Sequence, residues 1–230
     1  MPRAARVIVD GGIYHVLTHG NNGQVIFREP DDYQRYLQLL LHYLGQHQLK
    51  LYHFALMPNH VHLVLEVSRA PSLSKVMSGL NLTYGWLYRK RYQYTGHLWQ
   101  GRFKSLPIDR DSYLLECGRY VELNPVRAKL VSDPREYPWT SYRVYAEGAH
   151  NPLISTSPLY AMLGAAARTR QERYREFIRD GMRTPTPPDT ARQRALGGFV
   201  PAMWPRRGRP RKLDAILKKK INVPILMGDR

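Results

Sequence analysis

Residues 50–67 read Lys50-Leu51-Tyr52-His53-Phe54-Ala55-Leu56-Met57-Pro58-Asn59-His60-Val61-His62-Leu63-Val64-Leu65-Glu66-Val67. Two runs rich in aliphatic, aromatic and β-branched residues flank Met57-Pro58-Asn59, so the spacing predicts a β-hairpin of strands 50–57 and 60–67. Strand side chains alternate between faces. Val61, Leu63, Leu65 and Val67 therefore form a wholly apolar face that must meet other elements. His60, His62, Val64 and Glu66 share the opposite face, which begins with two neighbouring imidazoles.

Outward from this hairpin the pattern alternates. Residues 12–19 (GIYHVLTH) read as a strand, and Gly20-Asn21-Asn22-Gly23 as a loop. Asp31 or Asp32 can cap a helix running to about His47, with Tyr33, Tyr36, Leu37, Leu40, Leu41 and Leu44 at helical spacing. After the hairpin, Ser72 or Ser74 begins a helix through about Lys90. A loop over 96–101 leads to a strand at 102–108, and Asp109 or Asp111 caps a helix to about Asn124. The order β-α-β-β-α-β followed by a helix is that of a ferredoxin-like α+β fold. Both crossover helices then cover one face of the sheet and leave the other free to carry a site.

The chain has 230 residues, with 35 Lys and Arg against 18 Asp and Glu, a formal net charge of +17. Its 43% hydrophobic share is ordinary for a globular chain and too high for wholesale disorder. No run of about 18 apolar residues is present, which excludes a membrane-spanning helix on pattern. The N-terminus lacks the apolar core of a signal peptide, and the single cysteine, Cys117, allows neither an internal disulfide nor a Cys-based zinc site. These features read as a cytoplasmic protein, and the charge points to a polyanionic partner.

The charge is uneven. Residues 206–220 (RRGRPRKLDAILKKK) hold eight basic residues and one acid, Asp214. Arg207-Gly208-Arg209-Pro210 within it resembles an AT-hook, in which arginines on an extended backbone reach into the minor groove. Arg207, Arg209, Arg211 and Lys212 are the candidate contacts. Ahead of this tail, Ser157-Pro158 is a helix start and Thr169-Arg170-Gln171-Glu172 fits a capping box. Thr184-Pro185-Thr186-Pro187-Pro188 is a stiff linker. The expected organisation is a core at 1–145, a helical extension at 146–195 and a basic tail at 196–230.

Two histidines at i, i+2 on a strand can bind one divalent ion from adjacent points of a rigid sheet; they can equally be exposed strand residues with no task. The scarcity of acids argues against a carboxylate-rich cage. On the last helix of the core, Tyr113, Cys117, Tyr120 and Asn124 fall on one side, beside an apolar stripe of Leu114, Gly118 and Val121. Tyr120 and Asn124, one turn apart, can present a phenol and an amide to one small volume. Most of the 16 tyrosines must be structural, and Asn124 before Pro125 can instead cap a following short helix.

Four blocks occur in order: Met57-Pro58-Asn59-His60-Val61-His62-Leu63-Val64; Trp99-Gln100-Gly101-Arg102-Phe103; Arg119-Tyr120-Val121-Glu122-Leu123-Asn124-Pro125-Val126-Arg127-Ala128-Lys129-Leu130-Val131; and Tyr137-Pro138-Trp139-Thr140-Ser141-Tyr142. Over residues 1–145 the chain resembles the REP-associated tyrosine transposases, a group of single-tyrosine HUH transposases (His, bulky apolar residue, His). The resemblance implies an endonuclease that cuts and rejoins single-stranded DNA and recognises REP hairpins, repetitive extragenic palindromes. It implies that His60 and His62 ligate a metal, that Asn124 is the third ligand and that Tyr120 is the nucleophile. Mg²⁺ or Mn²⁺ suits two imidazoles and an amide, and a monomer is expected. The base for the tyrosine proton is open among His15, Glu66 and a water on the ion.

Aromatic and basic residues interleave over 84–104, where Arg89, Lys90, Arg91, Arg102 and Lys104 can neutralise phosphates and half of the aromatics can stack bases. A DNA-binding protein without chemistry, holding hairpin or AT-rich DNA, is one alternative. It would have no need of His60, His62, Tyr120 and Asn124 together. An HUH replication initiator or relaxase is another, although the chain carries no Walker-type phosphate loop. A metal-dependent hydrolase, using water in place of Tyr120, is a third.

Overall fold

The structure is a computed structural model and describes residues 8–108 and 111–183. The linker at 184–188, the tail with Arg207, Arg209, Arg211 and Lys212, and a cap at Asp109 lie outside the described residues. Strand β1 (Ile13–His19) leads to α1 (Pro30–His47), then β2 (Lys50–Met57), β3 (His60–Glu66), α2 (Ala70–Tyr92), β4 (Lys104–Pro107) and α3 (Asp111–Glu122). Short helices α4 (Asn124–Arg127), α5 (Tyr142–Glu147) and α6 (Pro158–Ala161) precede α7 (Ala167–Arg183). The sheet is antiparallel throughout, in the order β2-β3-β1-β4. The ferredoxin-like order expected from the sequence is the order observed.

The two faces of the sheet do different work. Val61, Leu63 and Leu65 join Val16, Phe54, Leu40, Leu44, Val76 and Leu80 in the main core beneath α1 and α2. The other face meets α3 through Leu114, Cys117 and Val121, packed on Tyr52, Ala55 and Val64. A bulge in β2 between Leu51 and His53 interrupts the alternation, and Tyr52 lies with His53 on the α3 face, where a bulged strand can place two consecutive residues. A third cluster, Leu123, Tyr142, Tyr145, Tyr160, Tyr174 and Ile178, ties α5, α6 and α7 to the end of α3.

Several boundaries differ from the sequence expectation. Helix α1 starts at Pro30, and Asp32 acts from inside the first turn, accepting the backbone N–H groups of Arg28 at 2.8 Å and Glu29 at 3.1 Å. Helix α2 begins at Ala70, ahead of both serines, because Pro71 suits a first turn. Helix α7 begins at Ala167, which puts Thr169 inside it, and Glu172 pairs with Arg168 at 2.9 Å instead of closing a capping box. Ser157 does cap α6, accepting from the Tyr160 N–H at 3.3 Å.

Candidate active site

The pairing registers set His19 opposite His60, Leu17 opposite His62 and His15 opposite Val64. Directly paired residues point the same way, so β1 and β3 together carry four imidazoles on the α3 face. His15 Nε2 and His62 Nδ1 lie 2.9 Å apart, and the His19 and His60 rings stack at 5.1 Å. The His60 and His62 rings are nearly perpendicular, with centroids 4.9 Å apart.

These contacts choose tautomers. Asn59 Oδ1 lies 2.7 Å from His60 Nδ1; an amide oxygen only accepts, so Nδ1 carries the proton and Nε2 keeps its lone pair. His62 Nε2 is buried with no hydrogen-bond partner. A lone pair at this nitrogen puts the His62 proton on Nδ1, donated to His15 Nε2. Burial pushes His60 down to about 3, with His19 adding to it, and pushes His15 down to about 4. His62 is held well below the usual imidazole range by burial and then by His60, His15 and His19. All three are neutral at pH 7, the form that ligates a metal.

A buried, unpartnered imidazole nitrogen beside a second imidazole suits a divalent ion. Among the described residues no three His, Cys, Asp or Glu form a metal-holding group. Asn124 opens α4. Leu123 occupies the cap position, so the capping role open to Asn124 is not the one it takes. Its Nδ2 donates back to the carbonyls of Tyr120 at 2.8 Å and Val121 at 3.2 Å, which fixes the amide relative to Tyr120.

Tyr120 is the tyrosine whose ring meets His15 and His62, edge-on at 5.9 Å and 5.8 Å. Four buried tyrosines have structural tasks: Tyr84, Tyr137, Tyr145 and Tyr160 each donate to a buried backbone carbonyl. The Arg127 guanidinium lies 5.1 Å over the Tyr120 ring and donates to the Tyr120 carbonyl at 3.0 Å. The family model for IS200-like transposases matches residues 8–124, a span that holds these histidines, Tyr120 and Asn124. The chain belongs to that family.

The IS200-like transposase shares its fold with the solved structure of a REP-associated tyrosine transposase bound to a REP hairpin, at a TM-score of 0.54 and 16% identity, covering 68% of this chain and 93% of the other. A putative transposase from Deinococcus radiodurans R1 also matches at 17% identity, covering 53% of this chain and 96% of the other, with a TM-score of 0.36. No curated protein matches. The resemblance drawn from the four sequence blocks holds for family and fold. Among the described residues no helix is long and apolar enough to cross a membrane.

The candidate DNA contacts separate. Arg89 and Arg102 line a cavity of about 700 Å³ with Asn21, Asn81, Trp99 and Phe103. Gln100 N–H donates to the His19 carbonyl at 2.8 Å, which sets the 99–102 loop at the histidine end of β1. Lys104 pairs with Leu17 and so lies on the histidine face. Lys90 sits over the exposed Trp86 ring at 5.3 Å. Arg91 is bound to Glu29 at 2.6 Å and lies 3.6 Å from Asp32, so its charge is largely met within the chain. Of the candidate bases, His15 is committed to His62, and Glu66 accepts from Lys50 at 2.8 Å and from Tyr52. Sequence reasoning gave no role at the site to Asn59, His19 or Arg127; an Asn directly before the first His was the one local signal for the tautomer control.

Proposed function

We propose that this transposase cuts and rejoins one strand of REP-type hairpin DNA, with Tyr120 as nucleophile. The observation that carries the proposal is the meeting of Tyr120 with a buried His62 whose Nε2 has no hydrogen-bond partner, beside a His60 held in the matching tautomer. His60, His62 and Asn124 would hold Mg²⁺ or Mn²⁺. When bound, that ion neutralises phosphate charge and polarises phosphorus.

The chain supplies the rest. A free phenol ionises near pH 10, so Tyr120 needs charge beside it, and Arg127 places a fixed cation over its ring. The Tyr120 oxygen attacks phosphorus in line as the bond to the 3′ oxygen breaks. The phenol proton leaves to water, and the 3′ oxygen takes up a proton to become a 3′-OH. The product is a 5′-phosphotyrosine that conserves the phosphodiester bond. Attack by a second 3′-OH reverses the chemistry and frees Tyr120 without ATP.

The strand runs from the cavity of Arg89 and Arg102, across Lys104, to the histidines, with Lys90 and Trp86 on its outer approach. The catalytic unit lies within residues 1–145, and the helices that follow it, through α7 (Ala167–Arg183), buttress it. Residues 196–230, with Arg207, Arg209, Arg211 and Lys212, hold flanking DNA electrostatically. The protein acts as a monomer. Labelled hairpin strands with Mn²⁺ or Mg²⁺, resolved on a denaturing gel, should be cut by wild type. EDTA or His62→Ala should stop cleavage while hairpin binding persists. Cleavage by His62→Ala in EDTA would refute the metal site.

A further inference from the structure

Beneath the tyrosine helix lies a polar cluster that the chemistry above does not use. Glu122, two residues after Tyr120, is fully buried. Three donors converge on its carboxylate: Ser141 Oγ to Oε1 at 2.6 Å, His53 Nδ1 to Oε1 at 2.9 Å and Tyr174 Oη to Oε2 at 2.7 Å. They come from β2, from the residue before α5 and from α7, so one side chain joins the sheet, the tyrosine helix and α7.

The cluster is tight. The His53 ring is stacked on Tyr145 at 4.5 Å on one side. On the other, a Cβ on Gly118 would fall 2.5 Å from His53 Nε2, so α3 touches the ring at the one residue that permits it. A second grip runs in parallel: Arg119 donates to the Phe177 carbonyl at 3.2 Å, and its guanidinium lies 4.3 Å over the Phe177 ring. An apolar side chain could fill this volume without burying a carboxylate, and buried polar groups of this kind are weak sources of stability. What three directional bonds provide beyond packing is one permitted rotation and register.

We infer that Glu122 is a positioning residue for the tyrosine reaction. It keys the rotation and register of α3 against His53 and Tyr174, and so fixes the Tyr120 phenol relative to His62. Helix α7 is thereby part of the active-site frame. The inference rests on Tyr120 being the nucleophile. Misplacing a reacting group by about 1 Å can cost about a hundredfold in rate, so loosening this key should act on the chemical step.

The test uses the full-length protein and saturating hairpin DNA in single-turnover cleavage. Tyr174→Phe removes one donor while keeping the packing, and Ser141→Ala removes another together with the bond that its Oγ accepts from the Phe54 N–H at 3.1 Å. Each should lower the cleavage rate at least tenfold and leave hairpin affinity within about twofold. Ile178→Val trims the same helix without touching the carboxylate, and should lower the melting temperature with no change in rate. Glu122→Gln, which keeps the shape and one acceptor, should retain more rate than Glu122→Ala. Amide exchange over 113–122 should quicken in Tyr174→Phe and not in Ile178→Val. Wild-type rates in both donor variants, or equal rate losses in Ile178→Val, would overturn the inference. A wild-type protein that forms no tyrosine adduct would instead overturn the nucleophile assignment, with the amide exchange still judging the link from Glu122 to α3.

Discussion

Gly118→Ala measures how closely the tyrosine helix is seated. The added Cβ would stand 2.5 Å from His53 Nε2, 2.6 Å from Cε1 and 2.8 Å from Cδ2. Ordinary contact is about 3.5–4 Å, so helix and ring must part by about 1 Å. The ring cannot yield, because it is fully buried, stacked on Tyr145 and bonded to Glu122. Overpacking of this kind costs about 1–3 kcal/mol. Alanine also gains about 1 kcal/mol over glycine as a helix former, which would mask part of the effect. Gly45→Ala in α1 isolates that gain, since Gly45 is exposed with nothing within 4 Å of its Cβ position. Gly45→Ala should stabilise by about 0.5–1 kcal/mol. The difference between the two variants is then the steric cost alone. Urea titrations with unchanged m-values should place Gly118→Ala about 1–3 kcal/mol below Gly45→Ala, or roughly 2–12 °C lower in melting temperature. Gly118→Ala should also slow cleavage more than it weakens DNA binding. Equal stability of the two variants would refute the close seating of α3 on His53.

Two further outcomes follow from the site. Asn59→Ala removes the acceptor that fixes the His60 tautomer, so Mn²⁺ affinity measured by titration calorimetry should fall about 10–100-fold; an unchanged affinity would mean that the bond to His60 Nδ1 does not orient the ligand. Deleting 196–230 removes the densest basic segment, so hairpin binding should weaken. Its log–log salt dependence should flatten by about 0.7 for each single-strand phosphate that the tail neutralises. An unchanged slope would make the tail a bystander.

The fold was legible where side-chain periodicity is strong. The hairpin turned at Pro58-Asn59 as expected, and the alternation along β3 put Val61, Leu63 and Leu65 in the core and His60 and His62 on the other face. The sequence pattern put Tyr120 and Asn124 on one helix, whereas α3 ends at Glu122 and Asn124 opens α4; the seat of Tyr120 beside His15 and His62 was not legible, because it depends on how α3 crosses the sheet. The bulge at Tyr52 left no mark in a run where every residue from Leu51 to Met57 is buried. The Glu122 cluster was illegible for a similar reason: His53, Ser141 and Tyr174 stand far apart in the sequence, and only the packed chain brings them to one carboxylate. Local competition explains the displaced helix starts. Pro71 and the backbone around Asp32 determined the first turns, and the Thr169 pattern was outbid by a helix that begins two residues earlier.

The most direct measurement is to incubate the protein with a REP-type hairpin strand and Mn²⁺, digest it, and locate any covalently attached nucleotide by mass spectrometry. The account predicts a 5′-phosphate ester on Tyr120, absent in Tyr120→Phe although that variant still binds the hairpin. Cleavage with the adduct on another residue, or undiminished cleavage by Tyr120→Phe, would contradict it.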